Sequence, residues 1–175
     1  MSSSDLDYEE KNKAIKFIIV GDMGVGKTCI LNRFAKDEFT VEHVATIGVS
    51  FISKDIDFGD RKLVLHIWDT AGQEIYRSVT RSYYRNSSCA LIIYDITSKQ
   101  SFESVESWFQ DVKSNTPDYC QIFLVGNKLD LESNRVVTEE EGKKFADTNN
   151  IKFFETSAAT GQNINQIFFE GASDA

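Results

Sequence analysis

Proline is almost missing from this 175-residue sequence: Pro117 stands alone, so no stretch has the stiffness of a Pro-rich linker. Cysteine is nearly as scarce. Cys29, Cys89 and Cys120 are odd in number and lack a C-x-x-C spacing, which argues against a disulfide framework and fits buried or inert thiols of a reducing compartment. Positive charge is also short. Lys and Arg total 19 against 27 Asp and Glu, a formal net charge of -8, so a general nucleic-acid footprint is disfavoured and any phosphate must be held locally. No run approaches the roughly 18 apolar residues of a membrane-spanning helix, and the opening Met1 to Lys13 carries Asp5, Asp7, Glu9 and Glu10 instead of a signal-peptide core. The last residues, Gly171 to Ala175, hold no cysteine for prenylation.

What remains is ordinary globular material. Hydrophobic residues make up 41% and charged residues 26%, a balance that closes a core. The length fits one domain by the prior of about 150 residues each, and no repeat or low-complexity block divides it. The expected organisation is a polar extension over 1–13, one domain over 14–170 and a short terminal remnant over 171–175.

Short apolar runs alternate with helical patterns. Ile15 to Val20, Leu63 to Trp68, Ala90 to Tyr94, Ile122 to Val125 and Ile151 to Phe154 read as buried strands. Ser101 to Ser114 sets Phe102, Val105, Trp108, Phe109 and Val112 at helical spacing, Thr138 with Glu141 forms a capping box, and Ile164, Ile167 and Phe168 start a last helix. Such alternation predicts an α/β fold with a mostly parallel sheet and helices on both faces. One pair differs. Val49 to Phe58 and Lys62 to Trp68 are separated only by Gly59, Asp60 and Arg61, too little for a crossover, so they should form an antiparallel hairpin at one edge.

Directly after the first strand stands Gly21-Asp22-Met23-Gly24-Val25-Gly26-Lys27-Thr28, which fits G-x-x-x-x-G-K-[ST] and runs into a helical segment, Cys29 to Ala35. Glycines let successive N–H groups converge on phosphate oxygens, and the helix start adds its positive dipole end. Lys27 should reach the β and γ phosphates, and Thr28 can offer its hydroxyl to Mg²⁺. Kinases and hydrolases share this loop.

Beyond the fifth strand comes Gly126-Asn127-Lys128-Leu129-Asp130, where open α/β sheets bind ligands. Guanine presents a ring N–H beside an exocyclic amine, and an ionised Asp130 can accept from both; adenine presents no such pair. Asn127 can bond the base edge or tie loops together, and the Lys128 stem can cover a ring face. Thr156-Ser157-Ala158 can supply a backbone N–H to the guanine carbonyl. After the third strand, Asp69 in Trp68-Asp69-Thr70-Ala71-Gly72-Gln73-Glu74 suits a water-mediated grip on Mg²⁺. The Gly72 N–H can bond the γ phosphate, and the Gln73 amide can orient an attacking water.

Taken together, Gly21 to Thr28, Thr46, Trp68 to Glu74, Asn127 to Asp130 and Thr156 to Ala158 resemble the five motifs of Ras-like small GTPases, in order and at family spacing. Within those, Ile47 to Phe51, Arg77 to Arg85 and Leu91 to Thr97 are similar to segments that mark Rabs. The resemblance implies a P-loop NTPase with six strands and five helices, GTP or GDP bound with Mg²⁺, and slow hydrolysis to GDP and phosphate. It implies nucleotide contacts from Gly24, Val25, Gly26, Lys27, Thr28, Cys29, Phe39, Thr46, Gly72, Asn127, Lys128, Asp130, Ser157 and Ala158, with Phe39 edge-on against the guanine. Metal contacts would come from Thr28, Thr46 and, through water, Asp69. Gln73 and Lys27 would be the catalytic residues, with an arginine supplied by a partner.

It further implies a monomeric switch in vesicle traffic, met by an exchange factor, an activating protein and effectors, with no nucleic acid. Ile47, Phe51, Trp68, Ile75, Tyr76 and Tyr83 would form the partner surface, although Phe51, Trp68 and Tyr83 are equally readable as core aromatics. The protein would be cytoplasmic, reaching the cytosolic face of membranes through a prenylated tail absent from this sequence. Several residues depart from the pattern: Met23 in the phosphate loop, Ser50 for Asp, Ile75 for Arg and Ala159 for Lys. Met23 raises a rival, a GTP-dependent interaction scaffold with very weak hydrolysis; a P-loop kinase or ATPase is the other.

Overall fold

The computed structural model describes residues 14–36, 50–59, 62–69 and 84–173. Within them the chain runs β1 (Ala14–Gly21), α1 (Lys27–Lys36), β2 (Ser50–Asp57), β3 (Lys62–Asp69), β4 (Cys89–Asp95), α2 (Lys99–Glu103), α3 (Val105–Asn115), β5 (Gln121–Asn127), a 3-10 segment (Leu129–Asn134), α4 (Glu139–Thr148), β6 (Lys152–Glu155) and α5 (Ile164–Ser173). The six strands form one sheet in the order β2-β3-β1-β4-β5-β6. Every pairing is parallel except β2 with β3, which is antiparallel from Ser50↔Asp69 to Asp57↔Lys62. The expected mixed sheet and edge hairpin are both present.

Alternation along β1 divides the core. Phe17 and Ile19 face α1 and α5 with Ile30, Leu31, Phe34, Ile167 and Phe168, where Phe34 and Phe168 stack at 4.0 Å. Ile18 and Val20 face the other way, into a layer with Val105, Trp108, Phe109 and Val112 of α3. With both faces covered, the strands read as continuous apolar runs, as parallel sheets require.

Three boundaries move from their sequence expectation. The helix over Ser101 to Ser114 is two pieces, because Ser98 caps α2 and Ser101 Oγ accepts from the Asp95 amide at 2.9 Å, binding the short first piece to the end of β4; α3 restarts after Ser104. Phe58 leaves β2, since the Asp57 carboxylate accepts from the Gly59 amide in a tight turn, and its ring meets Phe169 of α5 at 5.6 Å. Ile151 is not in β6: its amide donates to the Ala146 carbonyl at 2.9 Å and closes α4. The capping box at Thr138 forms as expected, with both reciprocal bonds to Glu141 made. All three cysteines are thiols, Cys89 buried and the other two half-buried.

Candidate functional site

Chain order reverses direction at β1: β3 and β2 lie on one side of it, β4, β5 and β6 on the other. The crevice at the carboxyl end of such a switch point is where open α/β sheets hold ligands. The register brings the strand ends there together, with Gly21 beside Ile93, Asp95 beside Asn127 and Gly126 beside Glu155. Asp69 ends β3 on the same rim.

The loop between β1 and α1 curls around its own lysine. Lys27 Nζ donates to the carbonyls of Gly21 at 2.8 Å and Asp22 at 2.9 Å and is only 6% exposed. Burial pushes its ammonium down to about 8, against the opposing pull of Asp69 and Asp22. Gly26 cannot be anything larger: its φ is +99°, and a Cβ there would lie 2.3 Å from Asn127 Nδ2. Gly24, with φ of +85°, and exposed Met23 form the outer rim, and Val25 is buried beneath.

Thr28, in the first turn of α1, donates its hydroxyl to Asp69 Oδ2 at 2.6 Å. Asp69 is fully buried, and burial raises its carboxyl above the usual range, offset by the Thr28 bond and by Lys27. Its other oxygen, Oδ1, has no hydrogen-bond partner among the described residues. A buried acceptor left open costs about 1–3 kcal/mol, and a carboxylate oxygen in that position beside a hydroxyl fits the oxygen-rich surroundings of a hydrated Mg²⁺. Cys29 follows, half-buried, its thiol pushed up by burial and sensing both Lys128 and Asp69.

On the far side, Asn127 makes the loop tie that was one of its two expected roles. Its Nδ2 donates to the Val25 carbonyl at 3.0 Å and its Oδ1 accepts from Thr156 Oγ1 at 3.0 Å, so one buried amide ties the loop after β1 to the loop after β6. Lys128 sits at φ +70° with its ammonium 2.9 Å from Asp95 Oδ2. Asp130 is exposed and accepts from Ser157 Oγ at 2.8 Å, while Ser157 and Ala158 are buried. Phe51 is 45% exposed on the hairpin, its ring 4.6 Å from that of half-buried Trp68. Of the two readings, Phe51 is a surface aromatic and not a core one. Phe39, Thr46, Ile47, Gly72, Gln73, Ile75, Tyr76 and Tyr83 lie outside the described residues.

Supporting residues emerge that sequence reasoning did not assign. Arg33 of α1 donates to the carbonyls of Ala158 and Ala159, both at 2.7 Å. Arg135, just past the 3-10 segment, grips Glu155 with two bonds of 2.7 and 2.8 Å, and the Glu155 carbonyl accepts from Asn163 at 2.7 Å. Asp95 holds Lys128, and Trp108 reaches Asp22. Apart from the Glu155–Asn163 bond, each pairs residues far apart in sequence, so local pattern carries no signal for them.

The family model "Ras: Ras family" matches residues 16–175. Among curated proteins, the chain is 43% identical over 173 residues to "Ras-related protein SEC4" of Candida albicans, covering 99% of this chain and 82% of that one. It is 41% identical over 169 residues to "GTP-binding protein ypt2" of Schizosaccharomyces pombe, covering 97% and 82%. It is 48% identical over 153 residues to "Ras-related protein Rab-2B" of Dictyostelium discoideum, covering 87% and 76%.

Proposed function

Since this chain belongs to the Ras family and is a Rab-like small GTPase, we propose that it holds GTP or GDP along the carboxyl rim of its sheet and switches a step of vesicle-mediated transport. The observation that carries this reading is the Asn127 amide, which bonds Val25 on the phosphate side and Thr156 on the base side. Both ends of one ligand are thereby served by a single rigid frame.

The phosphate end uses the main chain of Gly24, Val25 and Gly26 with the N-terminus of α1, and Lys27, which exchanges its two carbonyl partners for phosphate oxygens. Thr28 and, through water, Asp69 would hold Mg²⁺, with Thr46 as the further ligand. The ion supplies charge neutralisation to the β and γ oxygens. The base end uses Asp130, placed by Ser157, to accept from the guanine N–H pair, with the Lys128 stem along the ring and Phe39 edge-on, while Cys29 gives a further nucleotide contact. Ser157 and Ala158, the latter held through its carbonyl by Arg33, would face the guanine carbonyl. Gln73 orients the attacking water and Gly72 senses the γ phosphate, so loss of that phosphate releases Gly72 and Thr46 and changes the surface offered to partners.

Phe51 beside Trp68, with Ile47, Ile75, Tyr76 and Tyr83 as the other partner residues, would meet effectors, an exchange factor and an activating protein that supplies the arginine. No described helix is long and apolar enough to cross a membrane. Membrane attachment is proposed to come from a lipidated tail outside this sequence, with the protein otherwise cytoplasmic and monomeric.

Competition binding tests the base reading. GDP should displace a fluorescent guanine nucleotide while ADP does not, and Asp130→Asn should move preference from guanine to xanthine, whose carbonyl replaces the amine. Equal affinity for ADP, or an unmoved preference in the variant, would refute the role given to Asp130.

A further inference from the structure

The second residue of the phosphate loop is held from outside the loop. Asp22 Oδ1 accepts from the indole Nε1 of Trp108 at 2.9 Å, across 86 positions of sequence. The main-chain carbonyl of the same aspartate accepts from Lys27 Nζ at 2.9 Å. Asp22 is thus joined at one end to α3 and at the other to the residue that meets phosphate. Trp108 is 2% exposed, fixed among Val105, Phe109 and Val112 in the layer under β1 and β4. An indole N–H only donates, and a buried donor demands an acceptor, so the ring has reason to keep the carboxylate where it is.

The loop has little stiffness of its own. Gly24 and Gly26 both take positive φ, and glycine loses more freedom on ordering than any other residue. On its outer side lies a cleft of about 280 Å³, lined by Asp22, Met23, Gly24, Asp95, Ser98 and Gln100. Among the described residues, the Trp108 bond is a side-chain tie that reaches this loop from α3.

We propose that Trp108 is a positioning residue of the phosphate site: acting through Asp22, it sets the carbonyls that hold Lys27 and keeps the loop in the shape that releases nucleotide slowly. This rests on the assignment of Gly21 to Thr28 as the phosphate loop. Because α3 carries the ring, any partner that shifts α3 also reaches the loop.

The test uses the full chain loaded with Mg-GDP and follows release of a fluorescent GDP analogue. Asp22→Ala and Trp108→Phe should each speed release about tenfold, the effect of losing one hydrogen bond to a charged group. The double variant should be no faster than either single, since both break the same bond. Asp22→Asn keeps an acceptor oxygen without the charge and should speed release only about threefold, clearly less than Asp22→Ala. A second readout is spectroscopic: the chain has two tryptophans, and the Trp108 indole N–H resonance should move in Asp22→Ala and stay near its place in Asp22→Asn. Parental release by folded Asp22→Ala, or effects that multiply in the double variant, would overturn the proposal; Asp22→Ala alone decides it if Trp108→Phe fails to fold. Lys27→Ala separates the two levels. If it binds GDP like the parent, the phosphate-loop assignment has failed; if it is crippled while Asp22→Ala and Trp108→Phe release normally, only the tether has.

Discussion

Arg135 is the residue whose loss should be felt most among those outside direct ligand contact. Its guanidinium meets Glu155 in a two-bond fork at 2.7 and 2.8 Å and also donates to the Val137 carbonyl at 3.0 Å. Side-chain exposure is 16% for the arginine and 9% for the glutamate, so the pair is well withdrawn from water. The fork is also the leading cause that raises the arginine above its ordinary range, before any through-space attraction. Truncation to Ala strands a nearly buried carboxylate, which for a withdrawn pair costs about 3–5 kcal/mol, and the residual exposure here points to the lower end, about 3 kcal/mol. With a urea slope of about 2 kcal/mol per molar, the unfolding midpoint under saturating Mg-GDP should fall by about 1.5 M. The penalty belongs to the abandoned charge, so adding Glu155→Gln to Arg135→Ala should recover more than half of the loss. A midpoint that falls by less than about 0.3 M, or a double variant as weak as the single, would refute the claim that the stranded carboxylate carries the cost.

Gly26→Ala should weaken GDP binding at least about 100-fold by calorimetry, because the new methyl displaces the Asn127 amide and sits in a left-handed backbone; tight binding would refute the close approach. Gln73→Leu should slow single-turnover hydrolysis more than about tenfold while GDP affinity changes little, and equal turnover would remove Gln73 from the reaction. Burial lifts the Cys120 thiol to about 11 from 9.0, so at pH 8 its thiolate fraction is about 0.1% and maleimide should label it far more slowly than the urea-unfolded chain. The same shift has a stability sign. The folded protein keeps this proton while the unfolded chain loses it above pH 9, so stability should fall between pH 9 and about 11, and Cys120→Ser should flatten that slope.

The parts of the fold that were legible in the sequence are those governed by near neighbours. The hairpin followed from a connection too short for a crossover, and the cap at Thr138 from one residue and its partner three places on. The phosphate loop was legible for the same reason: its glycines, lysine and threonine act through backbone shape over eight positions. What escaped was set by residues distant in sequence. Ser101 looks like the start of a helix, yet its hydroxyl belongs to the end of β4 and makes a separate short turn. Asn127 left two uses open, and the loop tie among them depended on where Val25 and Thr156 arrive in space. Arg33, Arg135 and Trp108 read as a helix charge, a loop charge and a core ring, and nothing beside them in the chain says which carbonyl or carboxylate they will find.

The central strand also imposes a timetable on synthesis. β1 is the first apolar segment of the domain to leave the ribosome, but both of its neighbours, β3 and β4, are encoded much later, the second ending at Asp95. At about 5–20 residues per second the interval from Gly21 to Asp69, where β3 is complete, is on the order of 2 to 10 s, during which Phe17, Ile18, Ile19 and Val20 have no sheet to join. A nascent chain stalled in that window would be a natural client for holding chaperones, and codon changes that lengthen it should lower soluble yield without altering a single contact of the finished protein.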